Sequence, residues 1–418
     1  MSPSRKENSP NDKVPFDKKE ERDHKIYALT GAEIHTAESK SWKKGTILWS
    51  HGKILAVGDK GKLDIPADAE VTDGSGLVVT PGLIDAHTHV GILEEVYGFE
   101  GDDVNETGDS AVTPELRAVD GINPYDPAFG DALSGGVTTV MIAPGSANVI
   151  GGSVCIVKTA GPDLDRMLLD AEAGVKAAFG ENPKRVYLEQ KKMPTTRMAI
   201  ASLLRQALID ARDYGLKKEK AAEDDEIHDE NLGMELLGRL LRREIPLRAH
   251  AHRADDIHTA IRIAGEFHLK MILEHGTEAD RLIPALLREN IPVVVGPSFS
   301  SRSKVEMEQV GWQTVKALSD AGVLVSLTTD HSCTPIQYLS LCAAMTVRYG
   351  LSWDQALRTV TINPAVILGM AQRIGSLAPG KDADFAVFDG DPFHYKSHCV
   401  ATYIDGRPVW EIKKRMDG

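Results

Sequence analysis

Between residues 81 and 330 the chain alternates two textures. Short, almost uninterrupted apolar runs recur: LIDAHTHV, TTVMIAPG, SVCIVKT, GVKAAFG, PLRAHAH, KMILEHG, IPVVVG and GVLVSLTTD. Stretches with helical periodicity separate most of them, as in TTRMAIASLLRQALIDARDYG (195–215) and DDIHTAIRIAGEF (255–267). A strand that is apolar on both faces belongs in a sheet covered on both sides. Eight such strands with helical crossovers predict an α/β fold of the (β/α)8 TIM-barrel type. The third run, near 153–158, has only a short link to the fourth, and a hairpin is the alternative there.

The flanks read differently. IYALTGAEIH, GTILWSHGKILAVG and AEVTDGSGLVVTPG precede the barrel, and GSLAPGKDADFAVFDG with VATYIDGRPVWE follows it; all are short β-like runs punctuated by glycine. Two such segments at opposite ends predict a small β-sandwich built from 25–80 and 375–418, around a barrel over 81–374. Residues 1–24 hold little apolar material besides Val14 and Phe16 and are expected to form a disordered tail.

Composition narrows the function classes. With 42% hydrophobic and 26% charged residues, the 418-residue chain has ample material for a large core. A net charge of −13 gives little support to a nucleic-acid partner, because phosphate binding needs basic patches. Cys155, Cys333, Cys342 and Cys399 are scattered without a CxxC pair. That argues against a disulfide framework and a thiolate zinc site, and suits a reducing compartment. The N-terminal segment lacks the apolar centre of a signal peptide, and no apolar stretch approaches the ~20 residues that span a bilayer. The expectation is a cytoplasmic homo-oligomer with a small-molecule substrate and no membrane partner.

Polar residues interrupt the apolar runs mainly near their ends. PGLIDAHTHV (81–90) puts His87 and His89 at the end of the first strand. Lys176 lies in the fourth, His250 and His252 close the fifth, His275 the sixth and Asp330 the eighth. In such a barrel the C-terminal strand ends share one mouth. Residues two apart on a strand point the same way, so His87 and His89 can reach one ion together. Imidazole and carboxylate ligands suit zinc and related divalent ions, with room for a water. One histidine at a strand end is more often a satisfied side chain than a ligand; the whole set at one mouth is a site.

Taken in order, PGLIDAHTHV, RAHAHRADD, LEHGTEA and SLTTDH resemble the amidohydrolase superfamily, and within it imidazolonepropionase and related metal-dependent hydrolases. The resemblance runs from about residue 26 to 413. It implies that His87, His89, His250, His275 and Asp330 surround the metal. Two-metal members use a carbamylated lysine on the fourth strand as a bridging ligand, the position of Lys176 in GVKAAFG. Others use a glutamate at a neighbouring strand end, and Glu181 in GENP is the alternative. His252 then lies at the rim as a substrate contact or proton carrier. The implied cofactor is one or two divalent ions, zinc first among them.

The implied reaction is hydrolysis of an amide-type C–N bond in a dipeptide, an N-acyl amino acid or a cyclic amide. Metal-activated water attacks, Asp330 carries the proton to the leaving nitrogen, and His275 or His252 donates to the developing oxyanion. A deaminase on the same scaffold is the nearest rival, but such members carry a glutamate soon after the fifth-strand histidine, where this chain reads HAHRADD. A non-catalytic barrel scaffold is the other; such proteins lose ligands that this sequence keeps.

Substrate selection is expected in the mouth loops. The longest, 91–126, is rich in Glu and Asp and reads equally as a lid that attracts cations and as a solvated acidic loop. Tyr97, Arg117, Arg253 and Arg302 are candidate substrate contacts. APGSANVIGGS (143–153) lacks the spacing of a phosphate loop and reads as a tight strand connection. The leucines of 201–216 read as a core stripe.

Overall fold

Eight strands gather into one sheet in chain order, as the apolar runs require: Leu83–Thr88, Val137–Ile142, Ile150–Lys158, Leu168–Ala178, Leu247–Ala251, Met271–His275, Val293–Val295 and Val325–Leu327. The structure is a computed structural model that describes residues 25–38, 40–96 and 98–412. The expected tail (1–24) and Tyr97 lie outside the described residues. Every residue of the first three barrel strands and of the last four is buried, which both-face apolar sequences make possible. Helices cover the outside. Thr196 caps Arg197–Glu223 by accepting from Ala199 N at 3.1 Å, and that helix buries Ile200, Leu204, Leu208 and Ala211, a stripe at helical spacing.

The third strand runs antiparallel to both neighbours. Its links, 143–149 and 159–167, are shorter than the dozen or so residues a parallel crossover needs, so the hairpin alternative holds on both sides. Reversal puts its Ile150 end beside Ala177 at the mouth and its Lys158 end beside Thr139 at the opposite end.

No ladder joins the first and eighth strands among the described residues; side chains close that seam instead. Asp85 Oδ2 accepts from Thr329 N at 2.9 Å and from Thr329 Oγ1 at 2.6 Å. Thr328 Oγ1 donates to His87 O, and His89 N donates to His331 O at 3.1 Å. These bonds tie the backbone that carries His87 and His89 to the backbone that carries Asp330.

Strands from both chain ends form a second sheet. Its order is Arg407–Glu411, Cys399–Ile404, Phe385–Phe388, Val78–Pro81, Tyr27–His35, Ser41–Ser50 and Lys53–Asp59, with Glu70–Asp73 beside the start of Tyr27–His35. Hydrogen bonds run from strand to strand through this β-rich unit built from both chain ends. Trp49 anchors its core, with Phe385 and Tyr403 at 5.2 and 5.8 Å between ring centroids, and its Nε1 donates to Gly406 O at 2.8 Å. Lys158 reaches from the reversed strand into this unit and meets Asp382, Asp384 and Asp405 at 2.9, 3.1 and 2.6 Å.

The long 91–126 segment is anchored along its length. Val104, Ala111, Ala118, Val119 and Ile122 are buried in the barrel's outer core. Val112 and Arg117 bridge to Ile150 and Ser153 of the third strand. Its acidic groups include Glu95, which sits 3.2 Å from His331 Nε2 at the mouth.

Candidate metal centre

Two groups of potential ligands converge at the mouth. His87 and His89 end the first strand, and Asp330 comes from across the seam: its Oδ1 lies 3.4 Å from His89 Nε2 and 3.5 Å from His87 Nε2. One ligand atom from each of these three lies within 4.8 Å of the others, and His250, His252 and His275 form a second such group. The rings of His87 and His275, 4.9 Å apart, bring the two groups side by side.

Which nitrogen each histidine offers follows from where its other nitrogen is held. His89 Nδ1 is 2.7 Å from Ala143 O, and His275 Nδ1 is 2.7 Å from Gly296 O. A carbonyl oxygen only accepts, so both rings carry a proton on Nδ1, and the neutral form of each offers Nε2. His250 is reversed. Asn182 Nδ2 faces its Nε2 at 3.3 Å, while its buried Nδ1 has no hydrogen-bond partner among the described residues. An unpaired buried polar atom is costly, and a cation would satisfy it. The bare nitrogens and Asp330 Oδ1 therefore fit a divalent-metal site. His252 Nδ1 meets the Thr277 hydroxyl at 2.7 Å; a hydroxyl can donate or accept, so this ring can carry its proton on Nε2.

Electrostatics agree with that chemistry. Burial holds His87, His250 and His252 well below the ordinary histidine pKa and lowers His275 as well. Neutral imidazole is the form that binds a cation. Burial alone would raise Asp330, yet the neighbouring His275, His89 and His87 hold it well below the usual carboxylate range. Lys176 is buried on the fourth strand, with Nζ donating to Pro144 O at 2.9 Å and lying 3.4 Å from His87 Nε2. Burial lowers its pKa to about 8, against the opposing pull of Glu274 and Asp330.

Several residues of this centre carried no signal as isolated letters. Glu274 is fully buried, with Oε2 3.1 Å from His87 Nδ1 and Oε1 2.6 Å from Arg248 Nε. Arg248 also donates to Ala86 O at 2.6 Å. Side-chain alternation could have found Arg248, which shares a face with His250 and His252. Glu274 and His275 are adjacent, and in a regular strand they would face opposite ways. His275 has φ +69°, a left-handed turn that ends the alternation and lets both reach the site. Asp330 has φ +51°. Such backbone costs on the order of 1–3 kcal/mol per residue and persists where the surroundings hold it.

The remaining candidates fall outside the two groups. Glu181 opens helix Glu181–Glu189, where its N–H donates to Glu306 Oε2 at 2.9 Å. Arg117 lies 3.4 Å from Glu172, and Arg253 pairs with Asp255 at 3.0 Å just before helix Ala254–Glu266. Arg302 is exposed in the loop after the seventh strand.

The sequence matches the Amidohydrolase family over residues 78–410. It is 33% identical over 392 residues to amidohydrolase tasK of Hapsidospora irregularis, taking in 88% of this chain and 40% of that protein, so the chain spans well under half of that relative's length. Imidazolonepropionase of Sphingopyxis alaskensis is 25% identical over 375 residues, covering 83% of this chain and 87% of that protein. A solved amidohydrolase from Thermotoga maritima MSB8 superposes with a TM-score of 0.89 at 43% identity, over 92% of this chain and 100% of that one. The chain belongs to the amidohydrolase family, a family of hydrolytic enzymes that act on C–N bonds. Among its described residues no helix is long and apolar enough to cross a membrane.

Proposed function

We propose that the protein is a divalent-metal-dependent hydrolase that cleaves an amide-type C–N bond in a small molecule. One observation carries this reading above the rest: two groups of ligand atoms, His87, His89 and Asp330 and beside them His250, His252 and His275, converge at the mouth with an unpaired nitrogen on His250 and an ionised Asp330. One or two divalent cations, zinc by ligand type, would be held by His87, His89, His250, His275 and Asp330, and would supply Lewis acidity toward water and carbonyl. Asp330 takes the proton of the attacking water and delivers it to the leaving nitrogen, a role worth ~10²–10⁴-fold. His252, resting on Thr277, presents Nε2–H to the developing oxyanion. His275 is assigned to the cation alone, because Gly296 keeps its proton on Nδ1.

Lys176 is the better bridging candidate than Glu181. Its pKa of about 8 leaves neutral amine at mildly alkaline pH. That amine can add CO2, forming an N–C bond and releasing one proton, which turns a cation into a carboxylate between the two groups. The deaminase reading lacks its base: after His252 the nearest carboxylates, Asp255 and Asp256, are engaged by Arg253 and Arg197. Cytoplasmic residence and self-association accompany the proposal.

Elemental analysis tests it. Protein reconstituted with zinc and bicarbonate should hold two metals per chain, lose at least one in Lys176→Ala, and keep both in Glu181→Ala. One metal, kept in Lys176→Ala and lost in Glu181→Ala, overturns the carbamate. Hydrolysis of some member of a panel of N-acyl amino acids, dipeptides and lactams is expected from the same preparation.

A further inference from the structure

The cation that faces the reaction centre is not one of the arginines. Arg117 and Arg253 are engaged by carboxylates, and Arg302 is exposed. Two residues beyond Arg302, Lys304 turns inward, with only 21% of its side chain exposed. Its Nζ donates to Asn182 Oδ1 at 2.5 Å. The amide nitrogen of the same asparagine donates to Ser146 Oγ at 2.7 Å and lies 3.3 Å from His250 Nε2. One asparagine therefore separates the ammonium from a candidate ligand.

This lysine is not neutralised by a close ion pair. Glu306 Oε1 lies 3.9 Å away, beyond hydrogen-bond range, and that oxygen itself has no hydrogen-bond partner, although the side chain is 1% exposed. An ammonium has three donors, and Asn182 takes one. Through Asn182, whose amide nitrogen lies 3.3 Å from His250 Nε2, the ammonium sits on the mouth side of the barrel. A surface lysine would be solvated and would need nothing; a mostly buried one near the candidate ligands is completed by an anion.

We infer that Lys304, held by Asn182, anchors a carboxylate of the substrate. The substrate class is then an anionic amide, such as an N-acyl amino acid or a dipeptide with a free C-terminal carboxylate. This rests on the amide-hydrolase reading above and adds a recognition element to it.

The test uses zinc-reconstituted enzyme and matched pairs: N-acetyl amino acids and dipeptides, each beside its neutral C-terminal carboxamide. The wild type should favour the acid by about 10- to 100-fold in kcat/KM, chiefly through KM, the range expected of a charge-assisted hydrogen bond. Lys304→Met should bring that ratio to near one, and Lys304→Arg should retain most of it. Calorimetric binding of N-acetylglycine against N-acetylglycinamide gives the same comparison without turnover. A wild type that ignores the carboxylate in binding, or a preference that survives in Lys304→Met, overturns the inference; the latter result would mean that the carboxylate binds the metal. Failure of every pair to be hydrolysed, with the binding preference intact and dependent on Lys304, counts instead against the amide-hydrolase reading.

Discussion

Buried charge collects at both ends of the barrel, and the two collections are built on different terms. At the Lys158 end every partner is a fixed opposite charge: Asp382 meets Lys53, Lys158 and Arg373, while Asp384 and Asp405 share the Lys158 ammonium. At the mouth, neutral imidazoles point bare nitrogens at one another, a lysine is pushed toward its neutral form, and two ligand candidates sit on left-handed backbone. The first arrangement is held by fixed ion pairs and serves to join the barrel to the second sheet. The second is complete only with something bound. Convergent ligand groups on left-handed backbone are thus a better marker of function than the mere presence of buried charge.

The sharpest way to break this comparison is Asp330→Asn. Turnover should fall by about 10²–10⁴-fold with thermal stability nearly unchanged. Near-normal rates would remove Asp330 from proton transfer and weaken the case that the mouth is the working end.

At the other end the effect should be on stability. Lys158→Met leaves three carboxylates around an apolar side chain and should cost about 3–5 kcal/mol near neutral pH, read from urea melts. The pH dependence has a definite sign. Burial opposes the Lys158 charge, but Asp384, Asp405 and Asp382 outweigh it and raise its pKa above the ordinary lysine value. Its contribution is therefore full below that value and is lost as pH rises through the native one. Asp382 is held below its usual range by Lys158 and Lys53 despite burial, so its contribution is lost as pH falls through the native value. The deficit of the variant should shrink on acidification, as Asp384, which burial has already raised to about 6, takes up a proton. A loss under about 1 kcal/mol would mean that the cluster is not the joint described here.

Smallest of the three is Glu274→Gln, which sharpens the boundary between the two kinds of cluster. Glu274 is paired with Arg248, as in a structural ion pair, yet it also stands against His87 Nδ1. If it orients that ring, metal affinity measured by chelator competition should drop by about 10- to 100-fold. Unchanged affinity would class it with the Lys158 end.

Much of this protein could be read from its residues in order. Apolar runs buried on both faces specify barrel strands wherever they occur, because that texture has few other stable homes. HxH in PGLIDAHTHV and the histidines of RAHAH and LEHG carried the family. The direction of the third strand was half legible, since link length limits the crossover without deciding which alternative is taken.

What the linear order determined is whatever depends on near neighbours: the period of the strands, the partition into barrel and flanks, and which residue types end each run. What only the tertiary structure decided depends on groups 21 to 122 residues apart. The free nitrogen of His275 is set by a carbonyl from the seventh strand's end, and that of His89 by one from the second. Lys304, not Arg302, became the inward cation because Asn182 lies within its reach. Proton positions and the facing of a charge are properties of a hydrogen-bond network, and such a network exists only once distant strands have met.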